Sequence, residues 1–513
     1  RVTALTIGTA AAWYAAKNIY YWFVYQPFEG PRSAKFGKGS KRQHLERWFK
    51  EYTDASFSPV SFRMMGTLFV MVGTVNDIQE ILKQRPATFG RQPAFAPAFD
   101  STPGAPGLFT AEGKEWGKQH RAYAPSFNAK NVLGMLPVMQ ERCEALANKF
   151  EEMGTVEDAI TFLKYATSDI ISEAALGIKS RYIENADEKT DDEIIILAQS
   201  LRHRWEHSMR FLLRSYSMYL IVKYLPRWFS SQWAKARQLF ENNDVINNIT
   251  DKMVAERLTT LETDPSKASH CLLDQAVLTM GGESEDRWTS RRKKQVLQSN
   301  IGTFFTAGSE TSAMTVGWCL FFLASHPHWL LKARSQVLSV VGKEEDWAEL
   351  SADKLQALTL LRACVKESMR LRPVSALFDV VALRSVQFKG KTLPRGTMLV
   401  LLQHLATNDN SRLPQHHLWL PERWLDECGA VRSDDEVVTN LVFGSGPRMC
   451  PGRRMAEFEI LVMLATLLRR FPAFHLIQDP ADVKAIDAIS IFPRPLGFRF
   501  EKPTKAALAS NAS

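Results

Sequence analysis

No CxxC pair and no regular cysteine spacing occurs in this chain of 513 residues. Cys143, Cys271, Cys319, Cys364, Cys428 and Cys450 stand far apart, which excludes a zinc site and a disulfide framework and implies a reducing compartment. No Pro/Gly/Ser-rich linker, internal repeat or low-complexity tract occurs, so the chain reads as one large globular domain although its length alone suggests about three. No basic arm is present either: 64 Lys+Arg against 55 Asp+Glu give a net charge of +9, spread along the chain. Such a spread serves solubility and steering and argues against nucleic acid as a partner. What the chain does have is 45% hydrophobic residues, ample for a large core.

Residues Val2 to Tyr25 lack acidic side chains and are mostly apolar, interrupted by Lys17 and Asn18. That length suits a membrane-spanning helix of ~20 residues. Tyr20, Tyr21, Trp22 and Tyr25 resemble an interfacial belt, and Arg32, Lys35, Lys38, Lys41 and Arg42 would hold the next domain on the cytoplasmic side. An amphipathic surface helix and a targeting segment use the same features. The favoured division is an anchor over 1–26, a main domain over 27–503 and a tail over 504–513.

Periodicity predicts a hairpin over Phe62 to Val72, a helix from Asp77, and an irregular loop from Phe89 to Phe109. Helical spacing dominates from Trp116 to Pro265. Further helices run from Arg292 to Ser325 and from Ala352 to Leu371, stopped by Pro327 and Pro373. Short strands follow between Val380 and Val400, and a last helix runs from beside Cys450 to Phe471. The fold class is mainly α with a minor β-sheet.

The segment Phe443-Gly-Ser-Gly-Pro-Arg-Met-Cys450-Pro-Gly452 is a glycine-rich loop running into an apolar helix. Gly444 and Gly446 permit positive φ, so the chain can turn tightly beneath a flat ligand. Pro451 suits the first helical position, placing Cys450 at the N-cap, where the helix dipole favours a thiolate. The alternative is a structural cysteine in a capping loop. A dinucleotide loop fails because Met449 occupies the third glycine position of GxGxxG.

This segment resembles the cytochrome P450 signature FxxGxRxCxG at every fixed position. The resemblance implies that Cys450 ligates the iron of haem b (iron protoporphyrin IX), that Arg448 contacts a propionate, and that Phe443 packs beside the sulfur. Glu367 and Arg370 share a helix face at i,i+3 and resemble the family's ExxR motif, with Pro421-Glu-Arg423-Trp as the PERF-like partner; Glu367 bridging Arg370 and Arg423 would be a structural lock. Ala307-Gly-Ser-Glu310-Thr311 resembles the oxygen-activation segment, with Gly308 and Thr311 on one face and Glu310 and Thr311 relaying protons; the other reading is small residues at a helix crossing. Trp116 and His120 resemble the propionate-binding WxxxR, with His120 where arginine is commoner and Arg121 next. Val380 stands where relatives place a propionate arginine, with Arg384 four residues on.

The resemblance implies the cytochrome P450 fold and a haem-thiolate monooxygenase that inserts one atom of O2 into an apolar substrate. Phe95, Phe99, Phe109, Phe304, Phe305, Phe378, Ile491 and Phe492 could face that substrate or simply fill the core. No flavin or iron–sulfur domain is recognisable, so electrons come from another protein. Arg362, Lys366, Arg453 and Arg454 could dock it or form an ordinary solvated face. The anchor points to the endoplasmic reticulum and NADPH-cytochrome P450 reductase. The arginine pair after the cysteine loop resembles the mitochondrial branch fed by a ferredoxin.

Overall fold

The computed structural model describes residues 25–31, 41–64, 67–91, 100, 105–185, 192–201, 203, 234–269, 271–280, 290–342, 350–408, 413–433, 441–487 and 490–502. Residues 1–24 of the expected anchor, its flanking Arg32, Lys35 and Lys38, Phe95, Phe99 and the tail 504–513 lie outside them. Among the described residues no helix is long and apolar enough to cross a membrane.

The chain divides into two compact units. One comprises Arg1–Gln92, Ser375–His416 and Val438–Cys450 and is built on a five-stranded sheet. Its strands are β1 (Val60–Met64), β2 (Thr67–Val72), β3 (Phe89–Arg91), β4 (Phe378–Ala382) and β5 (Met398–Leu401), in the order β1-β2-β5-β4-β3. The β1–β2 hairpin pairs Met64 with Thr67, within the hairpin that periodicity predicts over Phe62 to Val72. Strands β2 and β5 run parallel, with Val70 opposite Leu399.

Alternation sends neighbouring residues to opposite faces. Val70, Val72, Leu399 and Leu401 pack with Ile78 and Ile81 of helix α2 (Val75–Lys83), while Met71, Val400 and Leu402 meet Trp48 and Phe49 of α1 (Lys41–Tyr52). Thr74 caps α2 by accepting from Asp77 N at 3.2 Å, one of the amides a helix N-terminus leaves unpaired. The loop expected from Phe89 onward begins instead as an edge strand, Phe89 to Arg91 pairing with Ala382 to Val380. Three residues are too few for an alternating pattern to register.

The second unit comprises Pro93–Val374, His417–Val437 and Pro451–Ser513 and is helical. It contains α3 (Gly113–Tyr123), α4 (Leu136–Met153), α5 (Ala159–Leu176), α6 (Ser290–Ser325), α7 (Thr359–Leu371) and α8 (Arg453–Arg470). Helix α6, 36 residues long, packs along α5, α7 and α8. Close approach depends on glycine. A Cβ at Gly308 would lie 2.7 Å from Ile171 of α5, and one at Gly317 would lie 2.5 Å from Ile160.

The helix expected over Ala352 to Leu371 is broken at Leu358 (φ −74°, ψ 59°) into Ala352–Ala357 and α7. Gln336 causes the break to hold: its Oε1 accepts from Leu360 N at 2.9 Å and Leu361 N at 3.4 Å, capping a helix start the local sequence does not announce.

Candidate active site

Three backbone hydrogen bonds fold the cysteine loop: Gly444 N to Leu441 O (2.8 Å), Met449 N to Gly446 O (3.0 Å) and Cys450 N to Phe443 O (2.9 Å). Gly444 and Gly446 have φ of 73° and 71°, as the loop requires. Gly446 is needed for a second reason, since a Cβ there would sit 2.7 Å from Leu82 O at the end of α2. The N-cap is Gly452 and α8 starts at Arg453, so Cys450 precedes the cap by two residues and Pro451 does not open the helix. The turn Gly446–Arg448 and the Cys450-to-Phe443 bond hold this stretch in loop geometry.

Cys450 and Cys428 are exposed, and the other four cysteines are buried. Burial raises the Cys143 and Cys364 thiols and pushes Cys319 up to about 12, so these three behave as small hydrophobes. Phe443 and Arg448 are half-buried beside the loop glycines.

In α6, every residue from Val296 to Leu320 is buried except Ala307, which is exposed, and Gly308 and Thr311, which are half-buried. Spacing of three and four puts all three on one side of the helix. The result is a small accessible strip in a helix otherwise committed to the core. Thr311 donates from Oγ1 to Ala307 O at 2.7 Å, which leaves the hydroxyl oxygen's lone pairs for a bound donor. Glu310, 7% exposed, meets Lys164 of α5 at 3.0 Å.

That ion pair borders a cavity of about 10 Å³ lined by Ser168, Phe305, Thr306 and Ser309 among others, room for roughly one water among polar groups. Lys164 also stands 6.0 Å over the Phe492 ring. Sequence reading did not find Lys164: it lies far from Glu310 in the chain, on a helix carrying no motif.

On α3, the Trp116 and His120 rings lie 4.8 Å apart at 35°, both half-buried. Between them Gln119, fully buried, donates to Pro106 O at 2.8 Å and accepts from Asn300 Nδ2 at 2.9 Å. Asn300 Oδ1 accepts from Leu108 N at 2.6 Å, and Ser299 donates to Ala105 O at 2.8 Å. This buried amide network, also unmarked in the sequence, ties residues 105–108 to α3 and α6.

Val380 is buried in the sheet, and Arg384 donates to Thr88 Oγ1 at 2.9 Å. Of the possible substrate walls, Phe304 packs edge-on against Tyr123 in the core, and Phe305 lines the cavity beside Glu310. The Phe378 ring carries the Arg85 and Arg91 guanidiniums at 5.4 and 4.9 Å. Ile491 is buried; Phe109 and Phe492 are half-buried.

Glu367, fully buried, accepts from Arg370 Nε and Nη2 (2.8 Å each), Arg423 Nε (3.0 Å), Trp424 Nε1 (2.9 Å) and Leu420 N (3.0 Å). The expected lock therefore has two further donors. Of the basic residues considered for docking, Arg362 donates to Gln356 O, Lys366 stands 4.8 Å over the Trp424 ring, Arg453 pairs with Glu457 at 2.9 Å, and Arg454 is exposed.

The family model for cytochrome P450 matches residues 33–494. Cytochrome P450 714C3 of Oryza sativa subsp. japonica is 25% identical over 403 residues, covering 73% of this chain and 70% of that protein. The 11-oxo-beta-amyrin 30-oxidase of Glycyrrhiza uralensis is 25% identical over 396 residues, covering 74% and 68%. Among solved structures, the cytochrome P450DA haem domain superposes with a TM-score of 0.75 at 20% identity, over 94% of this chain and 99% of that one.

Proposed function

The chain belongs to the cytochrome P450 family, which makes it a haem-thiolate monooxygenase, and we propose that Cys450 is its iron ligand and that an apolar organic molecule is its substrate. The observation that carries this is Cys450 itself, accessible on a loop whose two left-handed glycines allow close approach to a planar group. Among the described residues no three His, Cys, Asp or Glu converge on a metal site. Cys450 would give its sulfur to the iron of a bound haem, and haem b is the form proposed.

A haem held by these residues would supply the iron at which dioxygen is reduced and split. One oxygen atom enters the substrate and the other leaves as water, consuming two electrons and two protons. Phe443, Gly444 and Gly446 shape the sulfur's surroundings, and Arg448, Trp116 and His120 hold the propionates. Thr311 holds a proton at its hydroxyl on the accessible strip of α6. Glu310 resupplies that proton from the cavity beside Lys164, while Gly308 admits Ile171 of α5 against the same turn.

Electrons come from a separate protein docked on a basic face that includes Arg454, either a flavoprotein reductase or a ferredoxin. A membrane anchor over residues 1–26 places the catalytic domain, 27–503, at the endoplasmic reticulum; the Arg453–Arg454 pair keeps a mitochondrial setting as the alternative.

Thiol alkylation of the folded protein tests the ligand. Cys428 is modified with or without haem, while Cys450 is modified only after haem is removed; equal labelling of Cys450 in both forms would exclude it. Labelled dioxygen tests the reaction, with one labelled atom expected in the product.

A further inference from the structure

We propose that Asn300 and Gln119 are positioning residues for substrate selection: their buried amides hold residues 105–108 against α6 as a fixed wall at one end of the accessible strip of Ala307, Gly308 and Thr311. The proposal rests on reading that strip as the face turned toward dioxygen and substrate.

Residues 105–107 belong to no helix or strand, so their backbone groups need partners from elsewhere. Side chains supply them at four consecutive positions. Ser299 Oγ donates to Ala105 O at 2.8 Å and Gln119 Nε2 to Pro106 O at 2.8 Å, while Gly107 N donates to Asp100 Oδ1 at 3.0 Å and Leu108 N to Asn300 Oδ1 at 2.6 Å. Gly107 lets the segment lie close to α6, since a Cβ there would stand 3.0 Å from Thr303 Oγ1 and 3.1 Å from Asn300 Oδ1.

The two amides act in series. Leu108 N is a donor only, so Asn300 must turn its oxygen toward it and its Nδ2 toward Gln119 Oε1, 2.9 Å away. Gln119 then has its Nε2 left for Pro106 O, which can only accept. The chain of bonds leaves the segment at Leu108 and returns to it at Pro106. Asn300, Gln119 and Ser299 are fully buried, and breaking one link in such a place strands a donor and an acceptor out of reach of water.

Asn300, Ala307 and Thr311 stand at i, i+7 and i+11, on one stripe of α6. At 1.5 Å per residue the clamp lies about 10 Å along the axis from Ala307, comparable to the length of a small organic molecule. A short substrate over the strip stays clear of residues 105–108, and a long one extending toward the start of α6 meets them. The clamp therefore limits substrate length.

The test has two arms, both on the haem-loaded full chain. Amide hydrogen exchange of residues 105–111 reads the clamp: the wild type is protected there, and Asn300→Leu and Gln119→Met, which break the series at different links, each lower that protection by about tenfold while α7 keeps its own. Rapid exchange of this segment in the wild type, or unchanged exchange in both variants, would overturn the proposal.

Binding of methylimidazole and dodecylimidazole to the ferric haem, followed by absorption, reads selection. Loosening the wall should leave methylimidazole affinity as in the wild type and raise that of dodecylimidazole by about tenfold. An unchanged ratio of the two affinities in variants whose segment has lost protection would overturn the selective role. Unchanged product formation in Thr311→Val would instead overturn the reading of the strip and would leave the exchange result untouched, so the two failures are distinct.

Discussion

Lys164 Nζ lies 3.0 Å from Glu310 Oε2, with the two side chains 14% and 9% exposed. Removing one member of a fully buried pair costs about 3–5 kcal/mol because the other charge is stranded, and partial solvent access lowers that figure. Lys164→Met should therefore destabilise the fold by about 2 kcal/mol, read by chemical denaturation. The double variant Lys164→Met/Glu310→Gln should recover part of the loss. An unchanged denaturation midpoint in Lys164→Met would mean that Glu310 reaches solvent and the pair contributes nothing.

Thr311 donates its hydroxyl hydrogen to the Ala307 carbonyl on the accessible strip of α6. A positioned proton donor is worth about 10²-fold or more in rate. Thr311→Val should thus reduce product formation by about that factor and divert electrons to hydrogen peroxide, while Thr311→Ser keeps most of the yield. Assays of product and peroxide per electron pair check this. Equal yields from Thr311→Val and wild type would remove the hydroxyl from the relay.

The two loop glycines should respond differently to alanine. At Gly444 (φ 73°) the nearest atom to a Cβ is 4.0 Å away, so Gly444→Ala pays backbone strain alone, about 1–2 kcal/mol. At Gly446 the same strain is joined by a 2.7 Å clash with Leu82 O. Backbone cannot swing aside as a side chain can, so Gly446→Ala should lose haem retention as well as stability. Similar haem content in the two purified variants would contradict this.

Glu367 accepts five hydrogen bonds while fully buried. Glu367→Ala strands two arginines, and losses above about 4 kcal/mol are expected where a buried ionic network is broken. Little soluble protein should result. Arg423 is 12% exposed, so Arg423→Ala should be milder and purifiable. Comparable expression and melting temperature for Glu367→Ala and wild type would show that the lock is dispensable.

Much of this was legible in the sequence because the informative residues were local. The decapeptide at Cys450, the i,i+3 pair of Glu367 and Arg370, and the small residues at 307–311 each sit within one loop or helix turn, where spacing maps directly onto geometry. What the sequence hid was long-range or very short. Lys164 reaches Glu310 from another helix, Gln119 and Asn300 meet only through tertiary packing, and Gln336 caps the start of α7 from a distant element. The edge strand at Phe89 was too brief to show a period. Pro451 suits a helix start and so predicts Cys450 at the cap, yet hydrogen bonds within the loop delay that start to Arg453.

The central claim is that Cys450 gives iron a thiolate, and the absorption spectrum of the reduced protein under carbon monoxide tests it most directly. The account predicts the strongly red-shifted band of a thiolate-ligated haem, lost in Cys450→His. An ordinary imidazole-type band in the wild-type protein, with a correctly folded chain and full haem content, would contradict it.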